Sequence, residues 1–326
     1  MKLSTSTNIM VFDQKKPYQV PIDVATRVCA EAGYTEVDAN LCSFCRPGQP
    51  LTQDGWEQWA HDIKALADEL GVSFSQSHAY WTINGAFPVG GEKPDGEWGE
   101  ELMRRSVIAA EILGTKWMVV HPITVRHQSW YDYKASFTFN REYYKRWGEF
   151  YADHGVGMAI ENMNKVTSYC SCAEELLELI EAIGNPMVET CIDTGHAHMV
   201  GINVPEMIRQ VGSHLKATHI ADNHGKTDEH LPPFNGTIDW PEVMKALREI
   251  NYQECFAFEI QNLSSMYPKE VQPALVKFSY ELSFPSHGII SWSTIVYERI
   301  SDTSVRPVNT PFPLTSLNPR FTSYFE

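Results

Sequence analysis

Four segments late in the chain each close a short apolar run on a residue able to bind a divalent metal. They are Met158-Ala159-Ile160-Glu161, Thr190-Cys191-Ile192-Asp193, Lys216-Ala217-Thr218-His219 and Phe256-Ala257-Phe258-Glu259. Each run reads as a buried strand, and each ligand falls where that strand would open into a loop. A carboxylate in a buried strand is costly unless it is paired or metal-bound, and one shared cation accounts for all four residues together. Three carboxylates and an imidazole, with no thiolate, suit Mn2+, Mg2+, Co2+ or Zn2+ in a site with open positions.

Other polar residues fall at matching places. His78 closes Ser75-Gln76-Ser77-His78, His121 closes Met118-Val119-Val120-His121, and His196 follows Asp193 by three residues. All three are expected at the same mouth, in substrate binding or around a second metal. The segment from His219 to His230 is the richest polar loop in the chain. Its His224, Lys226 and His230 are candidates for binding substrate oxygens or a phosphate. Asp228 and His230, two residues apart, form a candidate additional metal pair.

Residues at those places need a scaffold that brings strand ends together. Strand-like runs are read at residues 2–7, 34–40, 72–81, 117–121, 156–162, 188–194, 215–221 and 254–261. Helical stretches alternate with them at 22–32, 56–70, 99–113, 141–154, 173–183, 204–211 and 240–250, and 269–282 follows the last strand. Asp239-Trp240-Pro241-Glu242 opens one helix with an N-cap and an early proline. Strand then helix, repeated without consecutive strands, predicts an α/β (β/α)8 TIM barrel, a fold that gathers strand C-termini at one mouth. Two longer loops, at about 82–97 and 123–139, would lie over that mouth as lid or substrate elements.

The barrel is expected to occupy residues 1–282, and 283–326 reads as an atypical C-terminal tail, rich in Ser, Thr and Pro, with no helical period. Seven scattered cysteines suit reduced thiols, and Cys42-Ser43-Phe44-Cys45 is a lone C-x-x-C without a second pair. No apolar run approaches a membrane span, and Met1 to Thr7 lacks the apolar core of a signal peptide, so a cytoplasmic, non-membrane protein is expected. A net charge of −15 and the lack of a Lys/Arg run disfavour a nucleic-acid partner. A homo-oligomer is left open.

Glu161-Asn162, Asp193-Thr194-Gly195-His196, His219-x-x-Asp222, Gly236-Thr237-Ile238-Asp239-Trp240 and Phe258-Glu259 resemble the sugar phosphate isomerase/epimerase superfamily. This xylose isomerase-like TIM barrel group includes ketose 3-epimerases, hydroxypyruvate isomerase, inosose dehydratase and endonuclease IV. Carried onto this chain, the resemblance implies that Glu161, Asp193, His219 and Glu259 bind one catalytic metal. It implies also that Glu161 and Glu259 are an acid/base pair flanking a small carbohydrate substrate. Proton transfer through an enediolate, stabilised by a metal chelated to carbonyl and hydroxyl, would then give isomerisation or epimerisation.

Two departures bear on the substrate. The polar loop has no arginine where the epimerase branch usually carries one, and Phe234 stands at the first of two positions usually held by glycine. Within the superfamily the alternative is an endonuclease IV-like phosphodiesterase with three zinc ions. His78, His121, Glu161, Asp193, His196, His219, Asp228, His230 and Glu259 match its ligand pattern in order. The acidic charge and the aromatic residues Trp81, Phe87, Trp98, Trp130 and Tyr131 fit a small polyol better. An inosose dehydratase-like lyase would use the same metal and bases but expel a β-hydroxyl. A non-enzymatic binding barrel leaves the metal quartet without a purpose.

Overall fold

In the computed structural model, the described residues are 1–10, 20–81, 86–88, 96–127, 130–265 and 267–282. The tail at 283–326 and most of the 82–97 loop lie outside them. Eight strands, Lys2–Ser6, Glu36–Ala39, Ser73–His78, Trp117–Val120, Gly157–Glu161, Val188–Asp193, Leu215–His219 and Cys255–Phe258, form one sheet. Every pairing in it is parallel, running from the first strand to the seventh and from the eighth back to the first. The seventh meets the eighth through an isolated parallel bridge of Ile220 with Phe258. Between the seventh and eighth strands, Ile220 N donates to Ala257 O (2.8 Å) and Glu259 N to Ile220 O (3.0 Å), closing the barrel. The (β/α)8 expectation holds.

Helices Ile22–Ala32, Trp56–Leu70, Gly96–Leu113, Tyr133–Asp153, Ala173–Ile183, Val204–Val211, Trp240–Glu249 and Gln272–Glu281 surround the strands. Four have the bounds expected from sequence. The fourth starts eight residues earlier than Arg141, because the side chain of Asp132 accepts from Ala135 N (2.8 Å) and caps a turn whose residues show no clear apolar period. The loop expected at 123–139 is therefore shorter. Its remainder, Thr124–His127 and Trp130–Tyr131, forms a small sheet with Ala86–Pro88. No helix among the described residues is long and apolar enough to cross a membrane.

The period of two along the strands separates two buried layers. Met118, Val120, Met158, Ile160 and Ile192 join the large core shared with the helices. Trp117, Val119, Ala159, Cys191 and Ala217 alternate with them and form a separate apolar cluster. Trp117 fits there because its neighbour Gly157 has no side chain; a Cβ would stand 2.3 Å from the indole. Glu161, Asp193 and His219 are the next same-facing positions after Ala159, Cys191 and Ala217. The site thus lies directly above an apolar floor.

Candidate active site

Glu161, Asp193 and His219 end the fifth, sixth and seventh strands, and Glu259 follows the eighth. One potential ligand atom from each lies within 4.8 Å of the others. Local structure explains how they are held. Asn162 receives Asp193 N on its Oδ1 (2.7 Å) and donates to Asp193 O (3.0 Å), tying the ends of the fifth and sixth strands. Asp193 Oδ1 caps the short helix Thr194–Met199 through His196 N (2.7 Å), which leaves Oδ2 for the site. His219 Nδ1 lies 2.9 Å from Glu161 Oε1 and 3.4 Å from Glu259 Oε2. Asn8 donates to Glu259 Oε1 (3.3 Å).

The donor set fits a divalent cation. Asp193 Oδ2 and Glu161 Oε2 are buried without a hydrogen-bond partner, although His121 Nε2 is 2.9 Å from the latter. Such oxygens, converging beside an imidazole, are costly unless a cation shares them. Electrostatics agree. Burial pushes the Asp193 carboxyl up to about 7, with the charges of Glu161, Asp228 and Glu259 adding to that and His196 opposing it. Burial also resists ionisation of Glu161, yet the imidazoles of His219 and His121 outweigh it and hold the group well below the usual range. Glu259 is lowered too, burial being overcome by His219 and His230.

Five further expected residues gather at the same place. His78 Nε2 meets His121 Nε2 at 3.1 Å, and one ligand atom from each of His78, His121 and Glu161 lies within 4.8 Å of the others. His196 Nε2 and His230 Nε2 flank Asp228 Oδ2 at 3.2 and 3.3 Å. Asn164 donates to that same oxygen (3.1 Å). His224 and Lys226 are not brought in: both are exposed, and the His224 ring pairs with Glu229 (3.0 Å). A cavity of about 980 Å3 opens over the centre, its walls including Trp81, Trp98, Arg126, Glu161, His230 and Glu259. Trp81 packs on the His121 ring with centroids 5.3 Å apart. Trp130 is exposed, Tyr131 donates to Glu175 (2.5 Å), and the side chain of Phe87 lies outside the described residues.

Sequence reasoning missed Asn8, Asn164, Asp38 and Gln76. The last two carry a usable signal, since both are polar residues inside predicted buried strands. Cys42 and Cys45 are free thiols beside the cavity. The motif glycine and tryptophan have a physical role. Asp222 receives Asn223 N, Gly236 N, Ile238 N and Trp240 Nε1 at 2.8–3.2 Å. A Cβ on Gly236 would stand 2.4 Å from Asn223 O. Phe234 has φ +71°, a left-handed backbone that explains the glycine expected there.

A parallel barrel with carboxylates and imidazoles converging at its strand C-termini defines a TIM-barrel protein with a cluster that could hold a metal ion. Residues 26–281 match the model of the xylose isomerase-like TIM barrel family, and the chain belongs to that family. It is similar to uncharacterized protein y4fM of Sinorhizobium fredii, 27% identical over 245 residues (73% of this chain, 70% of that protein). A D-psicose 3-epimerase of Enterocloster bolteae is 30% identical over 105 residues (32% of this chain, 33% of that protein). A probable endonuclease 4 of Mesomycoplasma hyopneumoniae is 25% identical over 199 residues (55% and 65%). The chain thus spans from a third to about seven-tenths of these relatives. A crystal structure of a D-psicose 3-epimerase in the presence of D-fructose shares the fold, with TM-score 0.69, 14% identity and coverage of 86% of this chain and 98% of that one.

Proposed function

We propose that this protein is a divalent-metal-dependent isomerase or epimerase of a small carbohydrate. The observation that carries the reading is the convergence of Glu161, Asp193, His219 and Glu259 within 4.8 Å at the barrel mouth. These four residues would hold the cation, which when bound supplies Lewis-acid polarisation of a substrate carbonyl. Glu161, at the end of the fifth strand, and Glu259, just after the eighth, can take and return the proton on the adjacent carbon. Asn8 orients the Glu259 carboxylate, and the imidazoles of His196 and His230 stand within reach of substrate hydroxyls. The Trp81 and Trp98 side chains supply apolar wall for the faces of a sugar.

The test is deuterium incorporation from D2O next to the carbonyl across a panel of ketoses and sugar phosphates. EDTA is expected to abolish it, and Glu161→Gln and Glu259→Gln to lower turnover by about 10²–10⁴-fold each. Retained turnover in either glutamine variant sinks the two-base assignment.

One feature supports a second reading, an endonuclease IV-like phosphodiesterase. His78, His121 and Glu161 form a further ligand group sharing Glu161, and Asp228 is flanked by two imidazoles. About three zinc ions per chain together with cleavage at abasic sites would put this reading first. An inosose dehydratase-like lyase would be recognised by loss of water from an inosose.

A further inference from the structure

We propose that Asp38 is a positioning residue: its carboxylate holds the Nε2 edge of His219, so that Nδ1 is the nitrogen presented to the centre. The inference rests on the reading of Glu161, Asp193, His219 and Glu259 as ligands of a divalent cation. Asp38 lies in the second strand, 1% exposed, and reaches into the barrel interior. Its Oδ2 is 3.4 Å from His219 Nε2. On the opposite edge of the same ring, Nδ1 lies 2.9 Å from Glu161 Oε1. The second and seventh strands are not neighbours, so this contact crosses the interior.

The carboxylate is itself held in place. Gln76, on the third strand, donates from Nε2 to Asp38 Oδ2 (2.7 Å) and to Thr218 O (3.1 Å), while its Oε1 receives Thr218 N (3.3 Å). The donor on Thr218 fixes which end of the amide is oxygen, so the NH2 end must face Asp38. Thr218 immediately precedes His219, so one amide locks both the carboxylate and the strand that carries the imidazole. Asp38 Oδ1 is buried without a partner. A buried carboxylate with one amide donor is costly, and an imidazole N–H directed at it offsets part of that cost.

A neutral imidazole carries one N–H. Placed on Nε2 toward Asp38, it leaves a lone pair on Nδ1, facing Glu161, Asp193 and Glu259. Placed on Nδ1, it donates to Glu161 and leaves no lone pair for a cation. The buried charge of Asp38 favours the first arrangement. Carboxylate partners of this kind hold metal-ligating histidines, and their loss costs about 10–100-fold in metal affinity.

The test measures Mn2+ binding by the paramagnetic resonance of free Mn2+ in wild type, Asp38→Asn, Gln76→Met and Asp193→Asn, with the thermal midpoint of each metal-free protein. Asp193→Asn reports on the quartet alone; wild-type affinity there overturns the ligand reading and this inference with it. With Asp193→Asn weakened, Asp38→Asn is expected to bind about 10–100-fold more weakly. Gln76→Met removes the amide that holds this carboxylate but keeps the carboxylate itself, and should weaken binding by less than Asp38→Asn does. Wild-type affinity in Asp38→Asn, or a larger loss in Gln76→Met than in Asp38→Asn, overturns the role of Asp38. Should Asp38→Asn not fold, nitrogen-15 imidazole spectra of the zinc-loaded wild type decide: a proton on His219 Nε2 supports the assignment, and one on Nδ1 refutes it.

Discussion

Replacing Asp222 by asparagine tests whether this loop is held by one buried carboxylate. Asp222 is fully buried, and its oxygens divide four donors evenly. Oδ1 receives Asn223 N (2.9 Å) and Ile238 N (3.2 Å), while Oδ2 receives Gly236 N (3.0 Å) and Trp240 Nε1 (2.8 Å). Whichever way an asparagine amide turns, its NH2 faces two of these donors and accepts from neither. Hydrogen bonds to a charged acceptor contribute about 1.5–3 kcal/mol each, so two losses amount to roughly 3–6 kcal/mol. Local relaxation places the expected value near the lower end, about 3 kcal/mol. For a chain of this size that corresponds to a fall in thermal midpoint of roughly 4–5 °C. The loop matters to the site because Asp222 and Leu231 exchange backbone hydrogen bonds (2.8 and 3.0 Å), closing the segment that carries Asp228 and His230. The assay is urea denaturation of the metal-free protein. A loss under about 1 kcal/mol, with the denaturant slope unchanged, would refute the reasoning.

Gly236→Ala should cost at least about 2 kcal/mol in the same assay, because its Cβ would meet backbone atoms of Asn223 that cannot swing away; an unchanged midpoint would contradict this. Asp132→Ala removes the cap on Ala135 N and should cost about 1 kcal/mol. Far-ultraviolet dichroism and denaturation together check that the loss belongs to the first turn of Tyr133–Asp153. Burial pushes the Cys29 thiol up to about 12, from an ordinary value of 9.0. The folded state therefore favours the neutral thiol; its contribution is complete below pH 9 and is lost as pH rises from about 9 to about 12. Stability measured across that window should fall. Iodoacetamide at pH 8 should modify Cys29 only as fast as the protein opens, and rapid labelling of the native protein would count against this.

Much of the barrel is legible in the sequence because its strands are buried on both faces and its helices are amphipathic. Glu161, Asp193 and His219 stand out as the polar ends of apolar runs, and the structure places them one inward step above Ala159, Cys191 and Ala217. Asp38 and Gln76 escape for the converse reason. They lie inside strands rather than at their ends, and their partners, His219 and Thr218, come from a strand that does not neighbour theirs in the sheet. The placement of His224 and Lys226 depends on the path of an irregular loop, and no periodicity encodes that. Polar richness drew attention to the whole segment, but of His224, Lys226, Asp228 and His230 only Asp228 and His230 line the cavity. The early start of the fourth helix is hidden by the aromatic and β-branched residues in Tyr133-Lys134-Ala135-Ser136-Phe137-Thr138-Phe139, where one capping aspartate outweighs weak propensity.

The orientation of the imidazoles constrains the chemistry under either functional reading. His78, His196 and His230 each direct Nδ1 at a main-chain carbonyl, those of Ala79 (2.9 Å), Asn162 (2.8 Å) and Glu259 (3.0 Å). A carbonyl only accepts, so Nδ1 carries the proton in all three, and the inward Nε2 is a lone pair whenever the ring is neutral. Two such nitrogens face Asp228 Oδ2, which cannot donate when ionised. Lone pairs facing a carboxylate repel, so positive charge must reside there, either as imidazolium or as a shared cation. Burial opposes the imidazolium on His230, yet Asp228 and Glu259 raise the ring to about 9. A metal or a proton can satisfy the same arrangement, and the two predict different chemistry. Protonated rings would donate to Asp228 and hold that carboxylate beside a sugar bound at the quartet. Rings that give their lone pairs to further cations would make a polynuclear centre suited to a phosphodiester. The number of cations held per chain, more than the barrel that holds them, therefore separates the two activities.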